Sequence, residues 1–590
     1  MKKLIYIILP CAMLFFTACE EDFINLTPPG KITDAVYYTE IEHFKTGSNK
    51  FYTDLLPWTA LGDFLDHASD LTGYKEDSPI QTYSRGDSFA PVTDDFYNDA
   101  YTALRDINLL IERAANFSGD ASDISEYVAV AKFFRAYHHF ALVQRFGGVN
   151  IVTRSLDVDS EEANSPRNSR YEVVAQVLTD LNDAIAGLPR EQDISSTDKG
   201  KISKWAAMAF KAKILLHEAT WMRYVGITTD GDGVASGAGS TGFDAANIDL
   251  YLQEAVTASK TVMDQGGFEL WNHNDVLDNM SSYYLFMLED SESNPAGLDK
   301  SSNNEYIFYG KYDFLLRQGR ALLSHTSVGR LLPSRKMIDL FLADDGLPID
   351  KSPRFQGYTN ASDEYQNRDY RMRAYFTNNA THEIPEDGSV LLTGQENYGY
   401  YNSKFVSWKW PVYRDSYTES PDLPYIRLAE VYLTYAEALY ELNGGLTDAQ
   451  MNESINLVKE RAGLPAMNNT FLTLNGMDLK TEIRRERTIE LYAENSRYND
   501  LRRWGLAEQE LNQDIFGAVI EGTAYEGNTA LYTPGSYIYG EKTATTAVGP
   551  RRCILLEPES VRNFDRNNYL HPLPTSLFNT NDNLLQNPGY

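Results

Sequence analysis

Apolar residues at Val130, Phe133, Phe134, Tyr137, Phe140 and Ala141 recur with helical spacing, which predicts a helix packed on one face and stopped at Gly147-Gly148. The stretch Tyr171 to Leu188 repeats the pattern through Val174, Val177, Leu178, Leu181 and Ile185, and Pro189 ends it. A third helix is predicted from Trp205, Ala209, Ala212 and Leu216. Late in the chain Ala429, Tyr432, Leu433, Ala436, Leu439 and Tyr440 close on Asn443-Gly444-Gly445, and Asp448 to Arg461 adds one more helix through Met451, Ile455 and Val458. Paired helices with alanines at close approaches and aromatics as knobs suit tetratricopeptide-type hairpins, with a plain irregular helical bundle as the alternative. Between about residues 226 and 420 the periodicity gives way to Gly, Asn, Asp and Ser, with short aromatic runs at Tyr306–Tyr309 and Phe405–Trp408. That stretch predicts loops and short strands over a helical scaffold, and such loops commonly carry binding residues.

At 590 residues the chain exceeds a single ordinary core. Its formal charge of -30 repels phosphate backbones, so nucleic acid is excluded as the natural partner. The 39 tyrosines matter more, because each buried phenol needs a partner for its hydroxyl, and some of these rings are expected to face a ligand.

The first residues read as an address. Lys2-Lys3 precede an apolar run from Leu4 to Phe16 that is too short to span a bilayer, as in a signal peptide. The run ends Phe16-Thr17-Ala18-Cys19, which resembles the lipobox of bacterial lipoproteins and marks Cys19 for lipidation. Cys11 lies inside the apolar run, so Cys553 alone remains for the folded body, no intramolecular disulfide can form there, and an inert small apolar role is expected for it. Residues 19–30, with Thr27-Pro28-Pro29-Gly30, read as an extended tether.

Several motifs fail on context. Gly237-Ala238-Gly239-Ser240-Thr241-Gly242 has dinucleotide-loop spacing but follows Asp230-Gly231-Asp232-Gly233 instead of a strand. The same aspartates begin like a calcium loop, but Thr241 stands where the bidentate acid belongs. His217-Glu218 lacks the second histidine of a zinc helix. No cofactor is expected, with structural calcium in an acidic loop left open. Glu486, Glu490, Glu494 and Arg497 are spaced to share one helical face; two of these acids would serve a hydrolase, whereas the surrounding arginines favour a structural ion-pair network that depresses their pKa values.

Tyr425-Ile426-Arg427-Leu428-Ala429-Glu430-Val431-Tyr432-Leu433, Arg461-Ala462-Gly463-Leu464-Pro465, Arg485-Glu486-Arg487, Asp500-Leu501-Arg502-Arg503-Trp504-Gly505 and the closing Gln586-Asn587-Pro588-Gly589-Tyr590 resemble the SusD/RagB family of outer-membrane nutrient-binding lipoproteins. Arg135-Ala136-Tyr137, Phe146-Gly147-Gly148-Val149 and Trp205-Ala206-Ala207 agree, while Asn495 stands where the family usually has glycine and Leu573 where it has isoleucine. The resemblance implies an all-α, tetratricopeptide-like fold of four hairpins with a loop-rich variable region containing short strands. It also implies no catalysis, and a cell-surface protein of the outer membrane that binds glycans and delivers them to a SusC-like TonB-dependent transporter. A peptide-binding relative is the alternative, and a surface glycoside hydrolase a further one. The expected organisation is a signal peptide at 1–18, a lipidated tether at 19–30, helical regions at 31–230 and 421–590, and a variable ligand-binding region at 231–420. By family position, ligand contacts are expected from Trp58, Asp66, Asp70 and Tyr74 after the first helix, and from Trp271, Tyr283, Tyr284 and Tyr312 ahead of Asp345-Gly346.

Overall fold

The computed structural model describes residues 37–55, 57, 66, 69–74, 83–156, 160–230, 236–319, 331–360, 362–377, 400–406, 418–527 and 540–590. The scaffold begins with helices α1 (Ile41–Lys50), α2 (Asp95–Ala115), α3 (Ser125–Phe146), α4 (Arg170–Gly187) and α5 (Lys204–Tyr224). Three of these starts are chemically marked: Asp94 caps α2 by accepting the Tyr97 N–H, Ser169 and Glu172 form a reciprocal capping box on α4, and Ser203 caps α5. Helix α3 stops where its stripe predicts, because Gly147 turns the chain at φ 74°, a conformation side chains other than glycine resist. Successive helices from α2 to α5 pack on one another around Phe133, Phe134, Val143, Val177, Leu181 and Phe210.

Two features depart from the helical pattern read in the sequence. The stretch expected to be loop-rich contains helix α6 (Asn247–Gln265), which packs Leu252 and Ala255 against Leu215, Leu216 and Ala219 of α5. Its buried face consists largely of alanine, serine and single aliphatics, too weak a stripe to stand out from the surrounding polar residues. Helix α7 (Leu428–Asn443) also packs on α6 and ends at Gly444, φ 73°. The helix predicted over Asp448 to Arg461 is in fact two, α8 (Asp448–Asn452) and α9 (Ile455–Arg461), because Ser454 leaves helical geometry at φ -139°, ψ -100°. Helices α10 (Leu479–Glu490) and α11 (Arg497–Arg503) complete the elements used below.

Strands are short, as expected, but extend into the C-terminal region. Among the described residues, β1 (Thr72–Tyr74) pairs with β3 (Leu331–Pro333), β2 (Tyr306–Gly310) with β6 (Leu423–Arg427), and β4 (Phe376–Thr377) with β5 (Tyr401–Asn402), all antiparallel. A three-stranded antiparallel sheet in the order β7 (Ile515–Val519), β9 (Gly549–Glu557), β8 (Glu541–Thr546) lies in what read as a helical region and tail. Strand β9 is buried along Cys553–Glu557 instead of alternating, so period-two patterning does not reveal it. Cys553 is fully buried in this sheet's core, and burial pushes its thiol up to about 12, which fits an inert packing role. Among the described residues no helix is long and apolar enough to cross a membrane.

Candidate functional site

The acidic cluster of α10 is a sealed ion-pair network. Glu490, fully buried, accepts hydrogen bonds from Arg371 Nη1 at 2.7 Å, Arg427 Nη1 at 2.5 Å and Arg461 Nη2. Glu486 accepts from Arg371 Nη1 at 2.6 Å, and Glu305 accepts from Arg427 Nη1 and Arg461 Nη1 at 2.9 and 2.5 Å. Burial alone would raise the Glu490 pKa, but Arg461, Arg427 and Arg371 outweigh it and hold the carboxyl well below its usual range. A general acid needs the opposite shift, so the hydrolase arrangement does not form at Glu490. Glu494 does not share the helical face read from the spacing. Helix α10 ends at Glu490, and Ala493 and Asn495 adopt left-handed φ values of 61° and 57°. Through that turn Glu494 reaches Arg427 and Lys404 instead.

The residues expected to touch ligand are largely consumed by the scaffold. Asp66, buried at φ 52°, accepts the backbone N–H groups of Ala493 at 2.7 Å and Arg497 at 2.9 Å, and so fastens the left-handed turn after α10. Burial pushes its carboxyl up to about 7 against the pull of those two donors. Asp70 takes Arg497 Nε and Nη2 at 2.8 Å each and pairs with Lys336; these cations outweigh burial and hold it well below the carboxylate range. Trp271, 2% exposed, donates its indole N–H to Ser302 Oγ at 3.0 Å and its backbone N–H to Glu305. Tyr283 and Tyr284 lie in a buried cluster with Trp271, Tyr375 and Tyr492, their centroids 5.0 Å apart, and Tyr312 is buried beneath the Arg317 guanidinium, 4.3 Å from its ring centre. In this conformation Trp271, Tyr283, Tyr284 and Tyr312 therefore offer packing in place of the open stacking faces expected of them. Trp58 and the Tyr74 side chain lie outside the described residues.

A cavity of about 320 Å³ opens between α3, α5, β6 and the segment Glu494–Arg503, at the lower end of ligand-pocket volumes. Its walls carry the rings of Tyr83, Phe96, Tyr137, Phe210, Tyr425 and Tyr498. Between them stand Gln144 and Arg145 from α3, Lys213 from α5, Asn499 and Arg502 from α11, and His571 from the closing segment. Tyr83 stacks on His571 at 4.0 Å, and its hydroxyl accepts from Arg145 Nη2 at 3.1 Å while the same nitrogen reaches Asp94 at 3.0 Å. The Arg502 guanidinium lies 4.5 Å from the Tyr498 ring centre. Burial, followed by the charges of Arg145 and Arg502, drives the His571 pKa well below its ordinary value, so this imidazole is neutral. Aromatic faces beside planar donors and amides are what a polyhydroxylated ring requires: apolar C–H faces to stack and hydroxyls to bond.

Of the eight expected residues, Asp66 alone lines this cavity, and among the described residues the 231–420 stretch supplies only Phe308. The cavity residues were missed because Tyr137 and Tyr425 fit helical stripes or signature blocks and therefore counted as core. The available signal was the surplus of tyrosine, read as a ligand feature but assigned to loops. Among the described residues no cluster of three or more His, Cys, Asp or Glu is placed to hold a metal ion.

A paired-helix scaffold carrying short antiparallel strands and an aromatic, donor-rich cavity defines a helical binding protein of the SusD type. The profile of the SusD family matches residues 288–590, and a second profile, described as "Starch-binding associating with outer membrane", matches residues 49–216, so the chain belongs to the SusD family. A SusD-like protein of Bacteroides ovatus is 23% identical over 522 residues, covering 85% of this chain and 83% of that one. SusD-like protein P2 of Formosa agariphila is 23% identical, covering 100% and 99% of the two chains. Among solved structures, a SusD-like carbohydrate-binding protein from Bacteroides fragilis superposes with a TM-score of 0.70 at 22% identity, covering 93% of this chain and 99% of that one, a likeness of fold.

Proposed function

We propose that the chain binds oligosaccharides or polysaccharides at the outer-membrane surface and hands them to a SusC-like TonB-dependent transporter, anchored by lipid on Cys19. The observation that carries the binding step is the cavity, where the rings of Tyr83, Tyr137, Tyr425 and Tyr498 alternate with Gln144, Arg145, Asn499 and Arg502. Membership of a family matched by a starch-binding, outer-membrane profile supports the same reading, as does a relative described as carbohydrate-binding. Binding without turnover is supported by Glu490, whose three arginine partners leave it no proton to give at neutral pH. The anchor rests on Phe16-Thr17-Ala18-Cys19 and the proline-containing tether behind it. Residues 31–230 and 421–590 then act as the scaffold presented to the transporter, and the 231–420 loops, together with Trp58 and Tyr74, extend the contact with longer glycans.

The test is affinity electrophoresis of the detergent-solubilised chain through gels containing plant, microbial and host polysaccharides, with reducing-sugar release followed in the same samples. Retardation by at least one glycan without sugar release, weakened by Tyr137→Ala, is the expected result. Sugar release, or free migration through every gel, overturns the proposal.

A further inference from the structure

We propose that the corner of the cavity formed by Arg145, Arg502, Tyr498 and His571 binds the anionic group of an acidic sugar, a carboxylate or a sulfate ester. This rests on the glycan-binding reading above and narrows its ligand class.

Arg502 is the central observation. Its side chain is 3% exposed, and among the described residues no carboxylate lies within ion-pair distance of it. Nη1 donates to the Tyr569 carbonyl at 2.6 Å, Nη2 donates to Asn499 Oδ1, and Nε is buried without a partner. The next residue shows what a satisfied arginine looks like here: Arg503 donates to both oxygens of Glu437, at 2.6 and 2.8 Å, and to Asp500 at 2.8 Å. A buried cation without a counter-charge costs several kcal/mol, so Arg502 is poorly explained as scaffold.

Three further unmatched groups share its cavity. Among the described residues Arg145 Nε, the Tyr498 hydroxyl and His571 Nδ1 are likewise buried without partners, and all four side chains line the one cavity. An orphaned buried polar group costs roughly 1–3 kcal/mol, and one ligand oxygen placed among several relieves more than one of these costs. The acids on the cavity wall are already committed elsewhere: Glu494 to Arg427 and Lys404, Asp500 to Arg487 and Arg503, and Asp66 to two backbone amides. Asp94 pairs with Arg145, so the positive charge left to this corner is that of Arg502, although the whole chain carries -30. Burial depresses the His571 pKa most, and Arg145 and Arg502 both add to the shift. Planar guanidinium forks match the oxygens of carboxylates and sulfates, and the neighbouring rings of Tyr83 and Tyr498 supply the stacking surface for the sugar that bears them.

The test is isothermal titration of the full chain in detergent with glucuronate- and galacturonate-containing oligosaccharides, sulfated oligosaccharides and their neutral counterparts, with thermal shifts by free glucuronate and inorganic sulfate alongside. An acidic oligosaccharide is expected to bind about tenfold or more tightly than its neutral match, with affinity falling as salt rises. Arg502→Gln is expected to erase that preference. A preference confined to uronates or confined to sulfated chains supports the site and identifies the group. If Arg502→Gln fails to fold, Arg145→Gln in the same corner makes the same measurement. Equal binding of neutral and acidic chains, or an acidic preference untouched by both substitutions, overturns this inference while the glycan-binding reading stands. Stabilisation by free glucuronate or sulfate with no oligosaccharide bound supports the anion site and overturns glycan binding. No response to any probe overturns both.

Discussion

Two clusters of arginine stand close together in this fold, and they are paired in opposite ways. Around α10, Arg371, Arg427 and Arg461 each meet two or more carboxylates among Glu305, Asp369, Glu486, Glu490 and Glu494. Around the cavity, among the described residues, Asp94 is the one carboxylate that Arg145 meets, and Arg502 donates to a carbonyl and an amide without meeting a carboxylate. Buried ions whose charges are matched fix the register of the elements they join, whereas a cation left unmatched in an open cavity keeps interaction capacity for a ligand. The first cluster ties the β2–β6 ribbon to α9 and α10; the second gathers α3, α11 and the closing segment around a space.

The comparison breaks most visibly at Glu490. Glu490→Gln removes the counter-charge shared by three buried guanidiniums, and a loss of about 3–5 kcal/mol is expected, measured by denaturant unfolding. A loss below about 1 kcal/mol would show that the network does not hold the scaffold together. Because the hydrolase alternative places this acid in turnover, the same variant separates the two roles: destabilisation dominates if the group is structural.

Asp66 supplies the next effect and gives it a pH signature. Its folded pKa of about 7 lies above the unfolded carboxylate value, so between those values the folded chain holds a proton that the unfolded chain has lost. The stability this contributes is complete below the unfolded pKa and is lost as pH rises through about 7. Asn at this position does not titrate. The penalty of Asp66→Asn should therefore shrink as pH rises from 5 to 8, by at most about 3 kcal/mol. Melting curves of both proteins across that range check it, and a penalty that stays constant would show that the carboxylate is ionised throughout.

Arg502→Gln should cost little stability by contrast, within about 1–2 kcal/mol, because two neutral hydrogen bonds are weakened while an uncompensated buried charge disappears. A loss matching that of Glu490→Gln would place both clusters in the scaffold and remove the distinction between them.

Much of the scaffold was legible because its signals are local. The stripe ending at Gly147 and the one ending at Gly444 each carry their stop signal in the sequence, and both glycines take the positive φ that requires them. Helix α6 was not legible, since Leu252, Ala255, Ala258 and Val262 form a narrow stripe that has meaning only against α5 and α7. The ion-pair role of Glu486 and Glu490 could be inferred from neighbouring arginines, yet the arginines that hold Glu490 are Arg371, Arg427 and Arg461, brought in from separate elements. The cavity was least legible of all. Tyr83, Arg145, Arg502 and His571 belong to four distant stretches, and each taken alone has an ordinary structural explanation. Only the fold brings these four side chains to the wall of one cavity.

The smallest effect tests the turn that separates the two clusters. Asn495 occupies the position where glycine is usual in the family, and its φ of 57° explains why asparagine is accepted: short polar side chains tolerate the left-handed region better than others. The residue is exposed, so substitution there changes backbone strain with little change in packing. Asn495→Gly should leave stability within a few tenths of a kcal/mol, because relief of strain offsets the added freedom of the unfolded chain. Asn495→Ala should cost about 1 kcal/mol, the usual penalty for a Cβ in that region. The Asp66 carboxylate already clamps the turn through the Ala493 and Arg497 amides, so the alanine cost should differ when measured in the Asp66→Asn background. Strict additivity would mean that the clamp and the backbone conformation act independently. Coupling would show that Asp66, chosen from the sequence as a ligand contact, instead sets the geometry by which Glu494 enters the sealed network while Tyr498 and Arg502 face the open cavity.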